Sequence, residues 1–312
     1  MVWCKYDRKF AVIKLKSSIE RIIKMNTSLK FTHGNKVGLI ACSDGVRVEN
    51  LPKVEELKKV LHSFGLHVVV ANTLFRKDGY FSGNPKERAA ELNQLFKNTE
   101  ISAIFDISGG DSANQILEYI DYESIRMNPK PFFGMSDLSV ILNALFTQNN
   151  SKSYHYQLIN LVSSDGAEQQ RAFYRTFFEG QNDLYDFRYH WVRGNQMSGI
   201  VIGGNIRCFL KLAGTSYFPD PSDKILLLES LSGRANKIVS FFAQLQQLKY
   251  FDACAGLILG SFSELENFNE FPIVEEYVKE ISHSTSIPII KTAEIGHGSN
   301  SKCIVVGDKI TL

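Results

Sequence analysis

The feature that most constrains this chain is an alternation in its first half. From about residue 36 to 148, short apolar runs bounded by Gly, Ser, Asn or Pro are separated by segments whose apolar residues recur at helical spacing. The runs at 36–41, 67–71, 102–107 and 131–134 are rich in β-branched or aromatic residues and predict strands. Between and after them, 54–64, 85–96, 112–120 and 138–146 predict helices, with Pro85 placed where a first turn tolerates it. A strand, a helical crossover and another strand make a parallel pair, and repetition of that unit buries the sheet under helices on both faces.

After residue 149 the pattern changes. Residues 149–198 are polar and aromatic, with one helical stretch at 169–178, and read as a connecting region with a flap. Strand candidates then dominate at 199–202, 224–228, 256–259, 287–291 and 303–306, with helices at 234–248 and 273–282. The expected fold class is α/β, a parallel-sheet N-terminal domain with a strand-rich C-terminal domain. The expected division is an extension over 1–33, the α/β domain over 34–165, a connection over 166–198 and the C-terminal domain over 199–312.

Charge placement narrows the partners. Residues 1–24 carry seven Lys or Arg against Asp7 and Glu20, whereas the whole chain is only +2, so the body is slightly acidic. A body of that kind lacks the concentrated positive field used to bind nucleic acid. The basic segment reads either as a short amphipathic helix over 17–25 or as a dispensable extension ahead of a start at Met25. No apolar run approaches the roughly 18 residues of a membrane span, and no secretory signal is expected. Cys4, Cys42, Cys208, Cys254 and Cys303 are far apart, with no zinc-type spacing, and Cys42, Cys254 and Cys303, in or beside apolar runs, read as reduced core thiols of a cytoplasmic protein.

Four segments carry side chains suited to chemistry. In PFFGMSDLSVILNALF, Ser136 falls on the turn between a strand and a helix, where free N–H groups at the helix start flank it and the Asp137 N–H faces an oxyanion. The alternative is that Ser136 or Asp137 simply caps the helix. In IFDISGGDSAN, paired glycines after a strand let a backbone N–H approach a ligand, making Gly110 a second donor, or else form only a tight connection. KILLLES reads as a buried strand ending on Glu229, a carboxylate that either serves the chemistry or is simply solvated at the strand boundary. GHG sets His297 between two glycines that would leave its ring accessible, whereas most of the seven histidines read as surface or capping residues. A serine hydroxyl needs a base near neutral pH, and the base needs a carboxylate to hold its tautomer. Ser136, His297 and Glu229 supply those three groups, each at a strand end, although spacing alone does not bring them together.

The ordered blocks VGLIACSDG, ISGGDSANQILEYIDYESIRMNPKPFFGMSDLSVI, GIVIGGNIRCFLKLAGTSYFP, KILLLES, GLILGSF and PIIKTAEIGHGSN resemble those of the serine LD-carboxypeptidases over about residues 36–312. The GGDSAN and NPK pieces are similar to the branch containing microcin C immunity peptidases. The resemblance implies catalytic Ser136, Glu229 and His297, oxyanion donors at Gly110 and Asp137, a site between two domains, and a homodimer. It implies hydrolysis of an amide near a substrate's carboxyl end, with no metal or organic cofactor, and a small peptide, a muropeptide or a peptidyl-nucleotide as substrate. The alternatives are murein tetrapeptide LD-carboxypeptidase activity in cell-wall recycling, or a non-catalytic peptide-binding relative. The chain departs from the family at Tyr154-His155-Tyr156-Gln157, where a His-Gly-Pro-like segment is usual, and at Gly298-Ser299-Asn300, where proline usually follows the GH pair. Asp111 and Ser112 also occupy a variable place in the glycine loop. These departures bear on specificity. A further expectation concerns residues 185–191, whose aromatic side chains would either stack on a nucleobase or pack a domain.

Overall fold

The computed structural model describes residues 21–22, 29–77, 79, 81–268 and 274–312. Two sheets form. In the first, Lys36–Ile40, His67–Val70, Ile101–Asp106, Phe132–Gly134 and Ser153–His155 run parallel, in the spatial order 67–70, 36–40, 101–106, 132–134, 153–155. The expected β-α alternation is present: helices Leu51–Ser63 and Pro85–Lys97 follow the first two of these strands in sequence, and Ser139–Asn149 follows the fourth. Asn84 caps the second helix by accepting the Glu87 N–H at 3.0 Å, while the Glu87 side chain accepts the Asn84 N–H at 2.9 Å. That reciprocal pair satisfies two N–H groups that the helix leaves free. The 112–120 stretch winds instead as a 3-10 helix, Ala113–Tyr119.

Among the described residues the second sheet has seven strands, in the order 21–22, 188–193, 289–291, 256–262, 224–230, 198–205, 309–311. Its four central strands are parallel, and the flanking strands pair antiparallel. Arg188–Arg193 belongs to this sheet, so the connecting region contributes a strand as well as a link. Of the basic extension only Arg21–Ile22 is described, and it pairs as a strand with Tyr189 and Arg188 rather than forming a helix. The rest of that segment lies outside the described residues.

One crossover was not expected. Ile304–Val306 leaves the second half of the chain and closes the edge of the first sheet, antiparallel to Ser153–His155. The core is correspondingly shared. One buried cluster joins Ile104, Phe132, Ile141 and Leu145 to Ile202, Phe209, Leu226 and Leu257. A second joins Leu39, Phe105, Phe133 and Tyr154 to Val201, Ile225 and Ile258. Tyr185, Phe187 and Tyr189 are buried in this second cluster, so they pack the interior and offer no face to a nucleobase.

The helix Ser139–Asn149 lies along this seam and is buried continuously from Ser139 to Phe146, as its nearly all-apolar circumference requires. Its one buried amide, Asn143, donates to the Ser139 and Gly203 carbonyls at 2.7 Å each and accepts the Gly203 N–H at 2.9 Å. The Asn205 N–H donates to Ser139 Oγ at 2.9 Å. The helix that follows Ser136 is thereby fastened to the strand beside Glu229.

Candidate active site

Ser136 stands where strand Phe132–Gly134 turns into the helix, with φ of +60°. A non-glycine residue in the left-handed region is strained, and such strain gathers where a side chain must be presented in a fixed direction. The turn is tight enough that a Cβ on Gly134 would come within 2.8 Å of Leu138 Cβ. Met135 and Asp137 on either side are buried while Ser136 is partly exposed, so the hydroxyl is the group the turn presents.

Gly110 has φ of +135°, and a Cβ there would lie 2.2 Å from the Asp44 carboxyl carbon. Asp44 in turn accepts the Asp111 N–H at 3.1 Å and the Ser112 hydroxyl at 2.7 Å. The glycine is therefore dictated by backbone conformation and by close approach together.

The Asp137 carboxylate has a role that the sequence did not reveal. It is fully buried, and one oxygen accepts from Ser43 Oγ at 2.6 Å and from the Ala113 N–H at 2.8 Å. The other accepts from Lys211 Nζ at 2.5 Å. One side chain thus ties the Ser136 turn, the glycine loop and the second domain together. Lys211 also donates to the Asp111 carbonyl at 2.9 Å, and Arg207 pairs with the Asp111 carboxylate.

Beneath these loops lies Arg88, fully buried, donating to the Cys42 and Ser43 carbonyls at 2.6 and 3.1 Å and to Gln115 Oε1 at 2.8 Å. Burial lowers its pKa, and the surrounding carboxylates act against that. Arg88 sits four residues before Leu92 on the apolar face of its helix, and a charge in that register was the available signal. Asp106, buried at the end of its strand, accepts the Cys42 N–H at 2.7 Å and the Ser108 N–H at 2.8 Å. Burial raises its pKa despite those donors.

In the second sheet, Glu229 is completely buried near the end of Lys224–Ser230, and its Oε2 lies 2.6 Å from His297 Nδ1. Burial alone would raise the Glu229 pKa, but His297, with smaller contributions from His155 and Asn205, brings it below the usual carboxylate range. The expectation that flanking glycines leave the His297 ring open is corrected: the side chain is only 6% exposed. Gly296, with φ of +135°, is required because a Cβ would fall 2.2 Å from Ser261 Oγ and 3.2 Å from Glu229 Oε2. Gly260 is needed likewise, since its Cβ would meet the Ile295 carbonyl at 2.5 Å. The loop after His297 is held from the first half of the chain, where Asn160 donates to Ser301 Oγ at 3.1 Å and Gln169 to the Ser301 carbonyl at 3.2 Å.

Of the five residues singled out from sequence, Glu229 and His297 are brought into direct contact. Gly110 and Asp137 are linked through the Asp137 carboxylate and the glycine loop. Ser136 approaches through its neighbours: Ser139 bonds Asn205, which pairs across the sheet with Glu229, and Gly134 pairs with His155, 3.9 Å from the same carboxylate. Ser136 is not hydrogen-bonded to His297, whose Nε2 has no partner among the described residues. Catalytic hydrogen bonds are often long before substrate binds. Cys42, Cys208, Cys254 and Cys303 are buried free thiols whose pKa values burial pushes up, which leaves them protonated and inert. Among the described residues, no group of three or more His, Cys, Asp or Glu is arranged to hold a metal ion, and no helix is long and apolar enough to cross a membrane.

A two-domain α/β protein with a strained serine at a strand–helix turn and a buried Glu–His pair on a second sheet defines a class, and comparison with known proteins agrees. Residues 37–156 match the LD-carboxypeptidase N-terminal domain and residues 198–312 the LD-carboxypeptidase C-terminal domain. The chain belongs to the LD-carboxypeptidase family. Its relatives include the microcin C7 self-immunity protein MccF of Escherichia coli, 22% identical over 311 residues, covering 89% of this chain and 90% of that one. They also include the murein tetrapeptide carboxypeptidase of Pseudomonas aeruginosa, 23% identical over 290 residues, covering 89% and 92%. The solved structure of MccF in complex with aspartyl sulfamoyl adenosine superposes with a TM-score of 0.81 at 21% identity, covering 91% of this chain and 94% of that one.

Proposed function

We propose that the protein is a serine peptidase that hydrolyses an amide near the carboxyl end of its substrate, with Ser136 as nucleophile, His297 as general base and Glu229 as the residue that orients the histidine. The observation that carries this reading is the buried Glu229–His297 contact at 2.6 Å, linked across the domain seam to a serine held at φ +60°. With Glu229 accepting from Nδ1, the proton resides there and Nε2 is free to act as base. His297 takes the Ser136 proton as Oγ attacks the carbonyl carbon, and the Gly110 and Asp137 N–H groups receive the developing oxyanion. Collapse breaks the C–N bond, and His297 returns its proton to the leaving nitrogen. Water, deprotonated by the same imidazole, then attacks the acyl-enzyme, and Ser136 recovers its proton as it leaves.

The substrate favoured by the sequence blocks is an acidic aminoacyl or peptidyl residue joined to a nucleotide-like group, as in microcin C immunity. MccF, solved with aspartyl sulfamoyl adenosine, supports that choice. The murein tetrapeptide carboxypeptidase among the relatives supports a second reading, cleavage of a murein tetrapeptide. The buried free thiols fit a cytoplasmic location, and the family resemblance favours a homodimer, which light scattering on the purified protein would measure. The deciding experiment follows cleavage of aspartyl sulfamoyl adenosine and of a murein tetrapeptide by mass spectrometry. The expected result is faster cleavage of the nucleotide conjugate, with Ser136→Ala and His297→Ala each slower by at least about 10³-fold and Glu229→Gln impaired less. Faster cleavage of the tetrapeptide selects the second reading. Binding of both without turnover, unchanged by Ser136→Ala, makes the protein a non-catalytic peptide binder.

A further inference from the structure

His155 belongs to the first sheet. It ends strand Ser153–His155, paired on one side with Gly134, two residues before Ser136, and on the other with Ile304. Its side chain is almost completely buried and points across the seam, where Nε2 lies 3.9 Å from Glu229 Oε1. The space is made by Gly204, whose φ is +132° and whose Cβ would come within 3.3 Å of His155 Cδ2 and 2.4 Å of Ser139 Oγ.

Glu229 uses only one oxygen on His297. Among the described residues, Oε1 and both His155 nitrogens make no hydrogen bond, although the Asn205 side chain lies near enough to Glu229 to help lower its pKa. Buried polar groups are seldom left so, because an unpaired one costs the whole of its desolvation. The histidine and the free carboxylate oxygen face each other across a gap that a shift of about 1 Å turns into a hydrogen bond, an adjustment of the scale by which catalytic contacts tighten when substrate binds.

Resting on the peptidase reading above, we propose that His155 is a positioning residue that registers the two halves of the site, its Nε2–H grasping the Glu229 oxygen that His297 leaves free. The charged or titratable groups that bear on it are Glu229 and His297, and Gly204 of strand Ser198–Asn205 packs against its ring. Burial keeps the imidazole neutral, with a pKa of about 4 in spite of Glu229. A neutral donor suits the task. It orients the carboxylate without cancelling the negative charge that stabilises the His297 imidazolium, as a lysine or arginine there would.

The test begins by establishing that the wild type cleaves a substrate and that Ser136→Ala abolishes cleavage; failure at that stage removes the peptidase reading itself. Three His155 variants are then compared: Phe, which keeps a ring without a donor, Met, a flexible filler without a donor, and Gln, which keeps an N–H. The expected result is a kcat lower by about 10- to 100-fold in the Phe and Met variants, with KM within about threefold, a displaced acid limb of kcat/KM, and recovery to within about fivefold in the Gln variant. If the Phe variant does not fold, the Met variant serves as the donor-free case. Donor-free variants within twofold of wild-type kcat would overturn the proposal. Equal losses in Phe, Met and Gln variants, tracking a fall in Tm, would also overturn it.

Discussion

Acid should weaken this protein by a route that a single substitution removes. In the folded chain His155 has a pKa of about 4, against an ordinary value of 6.5, chiefly because burial disfavours its charged form. The unfolded chain therefore takes up that proton first, and stability falls as pH drops from the unfolded value towards the folded one. At about 1.4 kcal/mol per pKa unit the full difference is about 3.5 kcal/mol, of which about 2.5 kcal/mol is lost by about pH 4.5. That is a large part of the 5–15 kcal/mol typical of a folded domain. Glu229, whose pKa is lowered, acts in the same direction: its contribution is present above its unfolded pKa and is lost as pH falls through its folded one. Asp106, raised by burial, opposes them by accepting its proton earlier in the folded state. The assay is urea unfolding of wild type and His155→Gln at about pH 7.5 and about pH 4.5, with the m-value checked for constancy. The variant should lose about 2–3 kcal/mol less than wild type over that interval. Equal losses would show that His155 titrates normally in the folded protein, and the account of its burial would be wrong.

Two further substitutions probe the loops around Ser136. Gly110→Ala should lower kcat by about 10²- to 10³-fold, the usual cost of losing one oxyanion donor, since the strained φ and the clash with Asp44 displace the loop; burst kinetics would locate the loss in acylation. Lys211→Met should destabilise the fold by about 2 kcal/mol, read by urea unfolding, because Asp137 is wholly buried and Lys211 is the cation on its second oxygen. Lys211→Arg should recover part of that loss.

The local features were legible because they depend on neighbours in sequence. The Asn84–Pro85–Glu87 start of a helix and the strand–turn–helix around Ser136 needed only spacing and turn chemistry. The edge strand Ile304–Val306 was recognised as a strand, but nothing in its three residues says which sheet it joins. In the sequence Arg188–Arg193 reads as connection, because charges at both ends break its alternation. Arg88 and Asp137 were harder still, since their burial makes sense only once several loops converge on them. The histidine reading failed in a related way. The glycines that draw attention to His297 serve close packing rather than openness, and the short polar-flanked strand that carries His155 shows no sign of being interior.

By itself, then, the sequence determined most of the strands and helices of the first half, the class of fold and the residue types able to relay a proton, because periodicity and turn preference act over a few residues. The tertiary structure alone decided that Glu229 meets His297 across 68 positions, that Asp137 braces the glycine loop, and that a strand from the end of the chain completes the first sheet. Those outcomes depend on how two apolar cores share one seam, and no local pattern encodes which distant groups that packing will press together.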